Sequence, residues 1–181
     1  MKKVIIIIIV VIVAIAGYIG FRVISSRPLS PEQTVSYNHD GLDINLVYCR
    51  PSKRGRLIFG DSSAGPLVPY GKYWRLGANE ATEITLSKDV TFGGKTLKAG
   101  SYRMYAVPNE LSWGLSLNSE LGKWGFDEPD NSLDVLKIEV PVDTEPVSTE
   151  QFTIAFTNDS TGVNMGIAWD KLRLRVPIQI Q

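Results

Sequence analysis

Arg50, Lys53, Arg54 and Arg56 put four cations into the seven residues "RPSKRGR". Guanidinium groups present a planar fork matched to carboxylate or phosphate, so a loop of this composition suits anion binding. It also reads as a solvated turn whose cations pair with acids nearby in sequence, Asp61, Glu80 and Glu83. A second cluster follows in "WRLGANE", residues 74–80. Trp and Arg often dominate recognition surfaces. Gly77 and Asn79 suit special backbone angles or self-bonding turns, and Glu80 offers a carboxylate for acid or base work. Arg75 and Glu80 either cross-link a sheet corner or face a ligand. They are expected to be partners or to share a neighbour, with Arg50 or Arg56 close by. The candidate ligand-binding residues are therefore Arg50, Arg56, Trp74, Arg75, Asn79 and Glu80.

Other chemistries thin out. "GDSSAGPLV" (60–68) looks like the nucleophile segment of chymotrypsin-like serine proteases with one residue inserted. That chemistry needs a His base beside the Ser, and the sole His, His39, sits in the turn "NHDG". The insertion would also disturb the turn that forms an oxyanion hole, and a small flexible loop explains these residues. A Cys49–His39 dyad does not close, because the intervening strand separates the two by roughly 23 Å. Cys49 reads as a small apolar filler and His39 as a solvated turn residue. One Cys excludes an internal disulfide, and with one His it leaves no zinc-type ligand set. No metal or cofactor is expected. The 19 basic and 19 acidic residues balance, which argues against a general nucleic-acid binder. Carboxylate hydrolysis stays open as an alternative, with Glu80 as acid or base and a second acid from Asp61, Glu83, Asp127 or Glu128. It needs two carboxyls about 5 to 10 Å apart across a sugar. The lack of a nucleophile–base set leans against an enzyme.

The elements that must position these residues begin with an anchor. After Met1, Lys2 and Lys3, residues 4–21 form an uncharged run of 18 residues dominated by Ile and Val. As a helix it would span roughly 27 Å, close to the hydrocarbon thickness of a bilayer. The flanking cations favour the N-terminus inside and the remainder outside. Ala14-Ile15-Ala16 has the form of a signal-peptide cleavage site, but 17–21 stay apolar where a mature N-terminus would turn polar. The expectation is a single-pass protein of the cytoplasmic membrane with its C-terminal domain in the periplasm or outside. A bacterial lipoprotein is excluded, since Cys49 lies far from the run. Residues 22–31 read as a tether.

From Glu32 onward the apolar period is two, the signature of strands with one face on a core. Leu42, Ile44, Leu46 and Tyr48 alternate with other residues, as do Leu136, Ile138 and Val140. Phe152, Ile154 and Phe156 form a third such run, Val163 to Trp169 a fourth, and Leu172 to Val176 a fifth. Turn chemistry sits between runs at "NHDG", "FGGK", "VPNE" and "NDSTG". The pattern predicts an all-β, antiparallel β-sandwich of about nine or ten strands over 32–181. Helical turns are expected near 52–55 and 119–124.

The runs "YCRPSKRGRLIFG", "LVPYGKYWRLGANEATEITLSKDV" and "GGKTLKAGSYRMYAVP" are similar to a bacterial family called domain of unknown function 2911. Its Tyr-x-Arg-Pro element falls on Tyr48, Arg50 and Pro51. Its Gly-Arg-x-Ile-Phe-Gly element falls on Gly55, Arg56, Ile58, Phe59 and Gly60. Its Pro-Tyr-Gly-x-x-Trp-Arg-x-Gly-Ala-Asn element runs from Pro69 to Asn79, and its Leu-x-Ala-Gly-x-Tyr hairpin from Leu97 to Tyr102. This chain departs from the pattern by inserting "DSSAGP" and by carrying Leu76 where Thr is common. The resemblance, over 30–178, implies an exported or envelope β-rich domain of Bacteroidetes-type bacteria, and it brings no reaction, cofactor or catalytic residue. The functional expectation is a non-catalytic binding module of the envelope. Its partner would be an anionic envelope glycan, a peptide or another protein.

Overall fold

A computed structural model of the chain describes residues 12, 13, 15–18 and 30–181. The expected anchor over 4–21 and the tether over 22–31 lie largely outside the described residues. The described pieces 12–13 and 15–18 are helical. No helix among the described residues is long and apolar enough to cross a membrane.

The domain is mostly β, with antiparallel sheets. Twelve strands are described: β1 (Glu32–His39), β2 (Leu42–Cys49), β3 (Phe59–Gly60), β4 (Val68–Pro69), β5 (Thr82–Leu86), β6 (Val90–Phe92), β7 (Lys95–Leu97), β8 (Gly100–Pro108), β9 (Ser112–Asn118), β10 (Asp134–Pro141), β11 (Asp143–Asp159) and β12 (Gly162–Ile180). They form a six-stranded sheet in the order β1-β2-β5-β8-β9-β10 and a four-stranded sheet β11-β12-β6-β7. A short parallel pair, β3-β4, completes the set.

The pleat explains the layers. Leu42, Ile44, Leu46 and Tyr48 all point inward and are buried, as are Leu136, Ile138 and Val140 across the sheet. Phe152, Ile154, Phe156 and the Val163-to-Trp169 set face them from the other sheet, and all belong to one apolar core. The expected turns close the hairpins: Asp40 and Gly41 adopt positive φ between β1 and β2, and Gly93 and Gly94 do so between β6 and β7. Both are two-residue loops of the kind that follows strand twist.

The strand count exceeds the expectation because β3 and β4 are two residues long and carry no period. Two expected runs are also one strand. In β12 the inward positions shift from odd numbers through Trp169 to even numbers from Leu174. Asp170, at φ +50, absorbs the extra residue in the manner of a β-bulge. The helical turns fall elsewhere than expected, at Ser62–Ala64 and Asn131–Leu133. Backbone pairing claims both expected places: Ser52 bridges Gln151, and Trp124 bridges Glu80.

One layer was unforeseen. The connection after β9 folds back over the outer face of β8 and β9. It buries Arg103, Tyr105, Ser116 and Asn118, residues whose alternation points away from the core.

Candidate functional site

The 74–80 bend is an excursion from the six-stranded sheet. The Trp74 amide donates to the Ala106 carbonyl at 2.8 Å, and the Trp74 carbonyl accepts from the Ala106 amide at 2.9 Å. The chain then leaves β8 and rejoins it at Thr82, opposite Met104. Leu76 is fully buried at φ +55 and Asn79 lies at φ +56, a region non-glycine residues adopt rarely. Side chains hold the bend: Thr82 Oγ1 donates to the Leu76 carbonyl at 2.7 Å, and Trp74 Nε1 to the Gly77 carbonyl at 3.1 Å. Gly77 is required twice, by φ +155 and because a Cβ would meet the Cys49 carbonyl at 2.8 Å.

This bend and the cationic loop enclose a pocket of about 360 Å³, lined by Arg54, Arg56, Trp74, Arg75, Asn79 and Trp169 among others. Four of the six candidates therefore meet at one place: Arg56, Trp74, Arg75 and Asn79. Trp74 is a buried floor, stacked on Trp169 and flanked by Phe59, Trp113 and Phe152. No Asp or Glu occurs among the described lining residues.

Arg50 is not brought there. Its Nε donates to the Phe152 carbonyl at 3.1 Å and its Nη2 to Thr153 Oγ1 at 2.8 Å, stapling β2 to β11. Glu80 also points elsewhere. Its Oε2 accepts from the Cys49 thiol at 3.3 Å, and it lines a separate cleft of about 350 Å³ with Glu32, Glu83, Lys123 and Trp124. Cys49 is thus more than a filler: burial first, and then the Glu80 carboxylate, pushes its thiol pKa up.

Of the two arrangements expected for Arg75 and Glu80, the direct ion pair does not form. The Arg75 guanidinium lies over the Phe126 ring, 5.7 Å from its centroid, and Nη1 makes a 3.5 Å contact with the Asn79 carbonyl. The two residues share a neighbour instead. A Cβ on Gly125 would meet both the Arg75 side chain and the Glu80 backbone, because the bend packs directly on that glycine.

The cationic loop takes other acids than those adjacent in sequence. Lys53 Nζ lies 2.5 Å from Asp170 Oδ1, and the Arg54 amide donates to Glu150 Oε1 at 2.8 Å. Burial alone would raise the Asp170 carboxyl, but hydrogen bonds from Lys53 and Ser148 outweigh it and hold it below the usual range. Arg56 bonds its own loop, Nε to the Lys53 carbonyl at 3.0 Å and Nη2 to the Ser52 carbonyl at 2.6 Å.

Sequence reasoning missed the polar network on the outer sheet face. Arg103, 1% exposed, reaches Tyr73 Oη at 2.7 Å, the Asp127 carbonyl, and Glu120 Oε2 at 3.7 Å. Tyr105 Oη lies 2.7 Å from Asp134 Oδ2, and Asn118 Nδ2 donates to Asp134 Oδ1 at 2.8 Å. Beside the network runs a groove of about 770 Å³ lined by Tyr73, Tyr105, Ser116, Asn131 and Lys137. The signal available was an Arg between tyrosines in "YRMY", inside a strand otherwise apolar. Among the described residues no group of three or more His, Cys, Asp and Glu side chains could hold a metal ion.

Fold and pocket together define an antiparallel β domain that presents an arginine-lined pocket with a tryptophan floor. The model of the family described as "Protein of unknown function (DUF2911)" matches residues 30–178, and the chain belongs to that family. No curated protein and no solved structure matches it.

Proposed function

We propose that this protein is a non-catalytic binding module of the bacterial envelope, which takes an anionic ligand in the pocket between the 51–56 loop and the 74–80 bend. The observation that carries the reading is the lining: three arginines and two tryptophans, with no carboxylate among the described lining residues. Aromatic floors with arginine rims are suited to recognition, and guanidinium forks to carboxylate or phosphate. We propose further that the 4–21 run holds the domain at the outer side of the cytoplasmic membrane. Its 18 uncharged residues and the preceding lysines support this. Carbonate extraction checks that placement, and mass spectrometry finding Gly17 as the first residue would establish secretion instead.

The binding test is a calorimetric titration of the full chain in a neutral detergent with an oligouronide, an acidic peptide and a sugar phosphate. Saturable binding of at least one, lost in R56Q and R75Q, is the expected result. Failure of all three at low salt would defeat the reading.

Carboxylate hydrolysis of envelope glycans keeps one specific observation, that Glu80 and Glu83 line the same cleft beside the exposed Trp124. Both carboxylates already have partners: Glu80 Oε2 accepts from Cys49, and Glu83 Oε1 accepts the Gly122 amide at 2.7 Å. Release of reducing ends from purified cell-wall glycan, abolished in E80Q, would promote this alternative over the first.

A further inference from the structure

We propose that the ligand of the arginine pocket is the phosphate-bearing headgroup of an anionic phospholipid, bound while the domain rests on the outer leaflet of the membrane holding its N-terminal run. This rests on the binding reading above and gives its ligand a source. Position is the first argument. Ser30, where the chain arrives from that run, lines the pocket, and its carbonyl accepts from Asn79 Nδ2 at 3.3 Å. Only residues 22–29 separate it from the end of the apolar run, and eight residues span at most about 28 Å. The pocket is therefore tethered within a short reach of the bilayer.

Charge is the second argument. Arg54, Arg56 and Arg75 line the pocket, whose described lining holds no acid; Glu32, Glu80 and Glu83 line a different cleft, and Asp127 and Glu128 line an adjoining one that Arg75, Leu67 and Phe126 also border. Among the described residues no acid lies within salt-bridge distance of Arg56 or Arg75. The two carbonyl bonds of Arg56 fix its guanidinium and leave Nη1 for a ligand. Arg75, resting on Phe126 with one long carbonyl contact, keeps Nε and Nη2 for a bidentate grip. The small volume, about 360 Å³, suits one headgroup better than an extended polymer.

The rim is the third argument. Phe126 is 71% exposed, Leu57 49% and Leu67 45%. Leu67 lines the pocket, Leu57 accepts its amide at 3.0 Å, and Phe126 lies under Arg75. Apolar side chains interleaved with arginine are the composition of surfaces that settle into the headgroup region. Nothing in the sandwich core uses these three side chains.

The test is hydrogen–deuterium exchange on the full chain in nanodiscs of phosphatidylcholine alone or mixed with phosphatidylglycerol. Amide exchange at 53–57 and 75–79 should slow at least about tenfold in the anionic discs. R56Q and R75Q should each reverse about fivefold of that protection, as expected for one cation near an anionic surface. F126S, which keeps every arginine, should also weaken it, and circular dichroism verifies that each variant is folded. A third arm adds a soluble oligouronide to the phosphatidylcholine discs. Protection by the oligouronide and not by phosphatidylglycerol would overturn the headgroup and leave the binding reading standing. Protection by neither overturns the headgroup, and the binding reading falls with it if the acidic peptide and the sugar phosphate also fail to bind in the titration above. Lipid protection that survives both Gln substitutions places the lipid elsewhere, and a chain that fails to incorporate into either disc removes the tether. Either of those results also overturns the proposal.

Discussion

The indoles of Trp74 and Trp169 stack with their ring centroids 5.8 Å apart and 17° between planes. Trp74 hangs on β8 of one sheet through Ala106, and Trp169 belongs to β12 of the other. The stack therefore joins the sheets at the place where the pocket opens. Both rings are buried, at 7% and 1% exposed. Trp169→Ala should lower stability by about 3 to 5 kcal/mol, the range for truncating a large buried aromatic. Urea unfolding measures it, and a loss below about 1 kcal/mol would show that the stack holds nothing together.

Arg75 separates structure from function. With no acid partner among the described residues, its contribution to stability is the contact with exposed Phe126, about 0.5 to 1 kcal/mol. Arg75→Ala should therefore leave the melting temperature nearly unchanged while anion binding disappears. A sharp fall in melting temperature would instead make Arg75 a corner cross-link.

Gly77→Ala tests the bend itself. The new methyl would sit 2.8 Å from the Cys49 carbonyl, at a φ of +155. Strained backbone positions of this kind cost of order 1 to 3 kcal/mol, and the contact adds to that, so a loss of about 2 kcal/mol or more is expected. Thermal unfolding with wild-type-like stability would mean that the bend relaxes.

The runs that became β2, β10 and β11 were legible because a period of two is a local property. The hairpin turns were legible for the same reason. The convergence of Arg56, Trp74, Arg75 and Asn79 was legible in part, since composition marked both loops before their approach was known. Arg50 was not, because its partners Phe152 and Thr153 lie some hundred residues away. The phase slip at Asp170 was hidden because a positive φ at a single Asp leaves no pattern. Arg103 and Tyr105 alternate with the core residues Met104 and Ala106, so the local pattern carries no sign of a second cover. Only the fold places the connection after β9 on top of them.

That cover supplies a fourth prediction. Arg103 is 1% exposed, and its Nε and Nη1 have no hydrogen-bond partner among the described residues. Glu120, with its side chain 26% exposed and 3.7 Å away, balances the charge. Glu120→Gln leaves a buried guanidinium without its acid. Breaking a fully buried pair costs about 3 to 5 kcal/mol, and the partial exposure of Glu120 reduces this to about 2 kcal/mol. Arg103→Met, which removes the charge and keeps much of the volume, should be milder. Chemical denaturation of both variants checks the order, and equal losses would deny the charge any role.

Tyr105 makes the same cover sensitive to alkaline pH. Burial first, then the hydrogen bond and charge of Asp134, push its pKa up to about 12, with a bond from Ser116 acting the other way. An unfolded tyrosine titrates near about 10. Between these values the unfolded chain loses the proton while the folded chain keeps it, so stability falls as pH rises. The contribution is complete below about pH 10 and is lost as pH climbs through about 12. Tyr48, Tyr70, Tyr73 and Tyr102 are also raised, so the wild-type alkaline slope is a sum over several phenols. Tyr105→Phe should cost about 1 kcal/mol at neutral pH for the lost hydrogen bond. Asp134 retains Asn118 and Lys137 as partners, which limits the damage. Above about pH 10 the variant should lose stability less steeply than wild type, by up to one proton's worth of slope. Urea denaturation across that range reads the difference directly, and parallel slopes for the two proteins would show that Tyr105 is not the phenol the cover protects.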